Sequence, residues 1–188
     1  MRIFGDSAQF GIRYEPYENR EGSTVPCCCH LILGNKLIGE KEESCYLPTW
    51  WSGLMQIREQ IEDIINGPPE EIFTDYNDRE IFELIFKSNH LEDEYKEEYR
   101  YLPEQSNNRL WVKHHVSIDE TTDAYLIVMI KEEDKLKVIW QGWRNPCPEN
   151  EIGKLNTVVL DSSIVLKTID DVVEFLKTTF PRILTWNP

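Results

Sequence analysis

No apolar run in this 188-residue chain approaches the roughly 18 residues that a membrane-spanning helix needs. The amino terminus MRIFGDSAQF carries one basic residue but no apolar stretch behind it, which argues against a secretory leader. Basic residues are also in short supply. Twenty Lys and Arg against 34 Asp and Glu leave a formal net charge of −14. That deficit argues against a nucleic-acid binder, which needs a basic footprint, and against docking on anionic lipid. An acidic chain can instead attract a basic partner through its long-range field, although solubility alone would also account for the charge.

Catalytic signatures are missing as well. The chain has no GxGxxG and no GxxxxGK[ST], so it lacks a phosphate-cradling loop, and it has no HExxH. GDSAQ (5–9) lacks the second glycine of a nucleophile elbow. The four histidines, His30, His90, His114 and His115, stand in no motif with a Ser or Cys nucleophile. Among 34 carboxylates no acid–base pair can be singled out. The chain is therefore read as a binding protein rather than an enzyme, located in the cytoplasm, with no cofactor.

Five cysteines, an odd number, fit free thiols in a reducing compartment. Three of them stand in a row in VPCCCHLILGNKLIG (25–39), followed by His30. On a strand Cys27 and Cys29 face one side, Cys28 and His30 the other, so the four cannot close on one ion. Zinc sites space paired thiolates by two to four residues. Cys27 and Cys29 would need the distant Cys45 or Cys147 to complete a site. The expectation is ordinary strand packing of small apolar side chains, and no metal.

The remaining chain sets out a single α+β domain over 1–188: an antiparallel β-sheet, hairpin plus meander, with helices packed on one face. AQFGIRYE (8–15) alternates Phe10, Ile12 and Tyr14 with Gln9, Gly11 and Arg13, a half-buried strand. PYENREGST (16–24) is a loop. Gly34-Asn35 supplies the residues of a tight hairpin turn. LPTWWSGLMQIREQIEDIINGPP (47–69) is a helix: Trp50, Leu54, Ile57, Ile61 and Ile64 or Ile65 fall on one face. Thr49 is its expected N-cap, Gly67-Pro68-Pro69 its stop. One of the adjacent Trp50 and Trp51 is expected in the core.

A second helix is expected over 75–89, and an amphipathic helix with an acidic exterior over 91–102. Strands follow in RLWVKHHVSI, AYLIVMIK and KLKVIWQGW, with extended chain in VVLDSSIVLKT. TIDDVVEFLKTTFP (168–181) closes with a helix whose stripe is Val172, Val173, Leu176 and Phe180, with Asp170 and Asp171 placed at its N-terminus.

The opening IFGDSAQFGIRYE, with Gly5, Asp6, Phe10 and Glu15, resembles the start of bacterial immunity proteins of the immunity protein 42 family. The HLILGNKLIGEK hairpin, the Trp-led helix at 50–66 and the late LKVIW strand resemble that family's layout, so the likeness runs through most of the chain. The resemblance implies an antitoxin-type protein that binds a cognate toxin domain of a contact-dependent or polymorphic toxin system and occludes its active site. The toxin, in some cases a nuclease, is expected to be basic, which agrees with the charge of this chain. The candidate toxin-binding residues are Glu92, Asp93, Glu94, Tyr95, Glu97, Glu98 and Tyr99, with Glu70 and Glu71 as a second place. An intracellular interaction adaptor, or a small hydrolase with an unrecognised site, are the competing classes.

Overall fold

Residues 1–16, 26–42, 44–89 and 108–181 are described by the computed structural model. The loop expected at 16–24 and the acidic helix expected at 91–102 lie almost wholly or wholly outside them.

Strands β1 (Arg2–Asp6), β2 (Phe10–Pro16) and β3 (Pro26–Leu33) run antiparallel in that order. The two-residue β4 (Lys36–Leu37) pairs with one end of β3, and β5 (Cys45–Tyr46) pairs with the other. Gly34 and Asn35 turn the β3–β4 hairpin with φ of 54° and 66°. Both values lie in the left-handed region that a two-residue hairpin of this twist requires, which is why these residue types occupy the turn. Phe10, Ile12 and Tyr14 are buried as the alternation predicted. Arg13 on the opposite face is buried too, with its guanidinium donating to the Lys41 carbonyl at 2.7 Å and paired with Glu15.

Helix α1 (Leu47–Asn66) buries Trp50, Leu54, Ile57, Ile61 and Ile64, while Trp51 is only partly covered. Its N-cap is Tyr46 and not Thr49. Pro48 explains the earlier start: it lacks an N–H, and the first turn of a helix has no use for one. The helix ends at Gly67, whose N–H donates to the Asp63 carbonyl at 3.0 Å. Helix α2 (Asp78–Lys87) opens with a reciprocal cap. The Asn77 side chain accepts from Arg79 N and Glu80 N, and Glu80 accepts from Asn77 N at 2.9 Å.

The segment RLWVKHHVSI departs from its expected strand. Residues Arg109–His114 form helix α3, and only His115–Val116 extend as β6. Leu110 and His114, four apart, are buried together while Val112 is 67% exposed. That is a helical pattern hidden in a run whose alternate residues are also apolar.

A second antiparallel sheet follows in the order β6, β7 (Tyr125–Glu132), β8 (Lys135–Gly142), β9 (Leu155–Leu160). Helix α4 (Ser162–Thr179) begins six residues sooner than the sequence suggested. Asp161 caps it by accepting from Ser163 N at 2.9 Å. Asp170 and Asp171 are consequently mid-helix, where Asp170 pairs with Arg58 at 2.7 Å and Asp171 with Lys167 at 2.6 Å. Val172, Val173, Leu176 and Phe180 are buried as expected, joined by Val165 and Ile169.

The α+β class with antiparallel sheets and packed helices holds, with the strands divided between two sheets. One core joins both: Ile12 and Leu33 of the first sheet, Leu136 and Trp140 of the second, Trp50 and Ile61 of α1, Ile169 and Leu176 of α4. A second core packs Phe82 and Ile85 of α2 against Val128 and Ile139. Adjacent Ile127 and Val128 are thus both buried, on opposite faces of β7. The second sheet is covered on both sides. Among the described residues no helix is long and apolar enough to cross a membrane.

Candidate functional site

The end of α1 and the short α3 lie side by side, and the Gln60 side chain ties them. Its Nε2 donates to the carbonyls of Lys113 at 2.8 Å and His115 at 2.9 Å. Between them runs an open groove of about 520 Å³. Ile57 forms part of its apolar lining, with Val112 of α3 opposite. Glu59 and Asp63, four apart on the exposed side of α1, supply its negative charge. Neither carboxylate has an ion-pair partner among the described residues. Like charges at this spacing repel mildly, so a cation arriving from outside would relieve the pair.

Glu70, one of the expected partner-binding residues, stands at the end of this region with a different occupation. Its carboxylate accepts from Arg109 Nη2 at 2.5 Å and Lys113 Nζ at 2.7 Å, and its side chain is 14% exposed. Burial alone would raise its pKa, but the hydrogen bonds from Lys113 and Arg109 outweigh that and hold it below the ordinary carboxylate range. Glu70 therefore fastens α3 to the chain that follows α1. Glu71 is exposed. Glu92, Asp93, Glu94, Tyr95, Glu97, Glu98 and Tyr99 lie outside the described residues.

The paired histidines at the α3–β6 corner serve structure. His114 is 1% exposed, donates from Nδ1 to the Met129 carbonyl at 2.7 Å, and has its pKa lowered to about 4 by burial. Its Nε2 has no hydrogen-bond partner among the described residues and lies 3.9 Å from Glu70. His115 stacks on Trp111 with ring centroids 3.7 Å apart, and burial lowers its pKa to about 4 as well.

The cysteines divide as a strand requires. Cys28 and His30 share the face of Arg13, and His30 bonds the Glu40 carbonyl at 2.7 Å, its pKa lowered by burial. On the core face, Cys27 Sγ lies 3.5 Å from Cys29 Sγ and 3.6 Å from Cys45 Sγ. Cys45 is the register partner of Cys27 across β3 and β5. Cys147 stands elsewhere, against Gly142. Hydrogen bonding within the trio, first with Cys27, raises the pKa of Cys29 and pushes that of Cys45 up to about 12.

A family model for immunity protein 42 matches residues 1–175. The chain belongs to the immunity protein 42 family. The immunity protein is a binding inhibitor of a cognate toxin domain and not an enzyme, as the opening residues suggested. Its fold is similar to that of CdiI from Burkholderia dolosa AUO158. The two superpose with a TM-score of 0.63 at 16% sequence identity, covering 93% of this chain and 99% of that one. At that identity the likeness speaks for the fold alone. No curated protein matches the sequence significantly.

The α1–α3 groove is not visible in local sequence, because Val112 and Asp63 are 49 positions apart and the run that forms α3 alternates as a strand would. The spacing of Glu59 and Asp63 on the outer face of α1 was the available signal.

Proposed function

We propose that this immunity protein acts in the cytosol of the producing cell and neutralises a toxin domain of a contact-dependent or polymorphic delivery system by covering its active site. One observation supports this above others: in a chain of net charge −14, Glu59 and Asp63 have no ion-pair partner among the described residues and stand at a groove whose lining includes exposed Val112. A toxin cleft that binds phosphate, as a nuclease's does, is basic, and carboxylates presented to it would stand where phosphates go. Charge at the rim speeds encounter, and apolar contact at the centre supplies the binding energy. The acidic segment with Glu92, Asp93, Glu94, Glu97 and Glu98, and with Tyr95 and Tyr99 as aromatic anchors, is a second part of the proposed surface. Exposed Glu71 extends it.

The test is co-expression with the toxin domain encoded next to this chain, reading cell survival and isolation of a complex. Survival with a stable complex is expected. Failure of the intact protein to bind that domain would overturn the proposal.

A further inference from the structure

Three sulfurs within 4.8 Å of one another, carried by two strands, make a different kind of site from the acidic groove. Cys27, Cys29 and Cys45 are 0%, 1% and 3% exposed. The separations of Cys27 from Cys29 and from Cys45, 3.5 and 3.6 Å, can be compared with a zinc tetrahedron. With Zn–S bonds of about 2.3 Å, the edge between two sulfurs is about 3.8 Å. These two edges therefore need to open by only roughly 0.2–0.3 Å to admit an ion at that bond length, and the third, Cys29 to Cys45, lies within 4.8 Å. Alternation along β3 puts Cys27 and Cys29 on one face, and the register with β5 brings Cys45 opposite Cys27. The backbone already holds the three donors in place.

We propose that Cys27, Cys29 and Cys45 bind one soft d10 metal ion, zinc(II), as a three-thiolate site. Thiolate donors without carboxylate or imidazole select soft ions over magnesium, calcium or manganese. Charge then chooses among the soft ions. Three thiolates leave one net negative charge around zinc(II) but two around copper(I), and the trio sits in the main core, where net charge is costly. The binding step balances as three thiols and one Zn²⁺ giving a trithiolate zinc anion and three protons. A fourth position remains for a solvent or small-thiol ligand. The strand β5 that carries Cys45 is two residues long, and its other residue, Tyr46, is 51% exposed, so the trio lies one short strand from the surface.

The consequence is mechanical. Leu47, the first residue of α1, follows β5 directly, so an ion joining Cys45 to β3 would clamp the start of the helix that walls the groove.

The experiment uses the full chain, reduced and stripped of metal. It is titrated with zinc(II) against a chromogenic chelator, and with cadmium(II) to read sulfur-to-metal charge transfer in the ultraviolet. One equivalent per chain is expected, with a band of three-thiolate intensity and a higher thermal midpoint. Cys29→Ser and Cys45→Ser should bind at least about tenfold more weakly, whereas Cys28→Ser and Cys147→Ser should bind as the unaltered chain does. Absence of stoichiometric uptake overturns the proposal, as does full affinity in Cys29→Ser, or loss of binding in Cys28→Ser. Should the serine variants not fold, the band of the unaltered chain decides: uptake without thiolate charge transfer places the ion elsewhere.

Discussion

Glu70 and Lys113 stand 2.7 Å apart, carboxylate to ammonium, at the seam where α3 meets the end of α1. With Arg109 also donating to it, Glu70 holds three charged groups together in a partly buried place. Glu70→Gln keeps the shape and removes the charge, and should cost on the order of 1–3 kcal/mol in urea unfolding at neutral pH. The folded pKa of Glu70 is depressed, so its contribution is present above the unfolded value of about 4.3 and is lost as pH falls through the folded one. The gap between the two proteins should therefore close in acid. An unchanged unfolding midpoint at neutral pH would mean the seam does not depend on this charge.

His114 predicts a second pH effect of the same sign. Burial lowers its pKa to about 4, against about 6.5 unfolded. Below the unfolded value the open chain takes the proton first, so stability falls as pH drops from about 6.5 towards 4 and then levels. At 1.36 kcal/mol per pKa unit, the loss is on the order of 3 kcal/mol. Asp119, which burial pushes up to about 6, takes up a proton in the same range and opposes the trend. The readout is thus the difference between the unaltered chain and His114→Gln, by urea unfolding at several pH values. It should narrow between pH 6.5 and 4; a constant difference would contradict a buried neutral imidazole.

Gly53 sits inside α1, where alanine would ordinarily gain about 1 kcal/mol. Here a Cβ would meet the Ile118 carbonyl oxygen at 2.6 Å and Ile118 Cα at 2.9 Å. Both are backbone atoms and cannot swing aside. Gly53→Ala should therefore destabilise, by roughly 1–3 kcal/mol, and thermal unfolding would show a lower midpoint. A higher one would mean that α1 can move off the β6–β7 connection.

The two sheets share one core, with Ile12 and Trp140 in the same apolar cluster. Unfolding should accordingly be a single cooperative transition that coincides by near- and far-ultraviolet circular dichroism. Two separated transitions, with a stable proteolytic fragment, would divide the chain.

Charge reversal separates the two proposed toxin-facing surfaces. Glu59→Lys with Asp63→Lys tests the groove, and reversal of Glu92, Asp93, Glu94, Glu97 and Glu98 tests the acidic segment. Whichever faces the toxin should slow association most at low salt and less as salt screens the field. Buried contacts would also speed dissociation, at a cost on the order of 2–5 kcal/mol for a desolvated pair. Unchanged kinetics for either set, with the fold intact, removes that set from the interface.

Local chemistry was legible in the sequence. Gly34-Asn35 fixed a hairpin because few other residues accept positive φ twice in succession. Trp50 to Ile64 revealed α1 because helical periodicity repeats over many turns, and Gly67-Pro68-Pro69 ended it because proline cannot continue a helix. The Gly5-Asp6 and Phe10 opening gave the family. The short α3 was not legible: Leu110 and Val112 fit a strand as well as a helix over so few residues. Only burial of His114 beneath the second sheet, with its ring bonded to Met129, settles which residues turn inward. The start of α4 is hidden for a related reason, because Ile164 and Val165 favour strands locally while Asp161 caps a helix and Ile169 packs into the core. The alternation of Cys27 and Cys29 could be read directly, but their meeting with Cys45 depends on how β5 pairs. The groove likewise depends on how α3 is laid beside α1. Such encounters join residues far apart in the chain, and packing against a shared core, which no local pattern encodes, decides them.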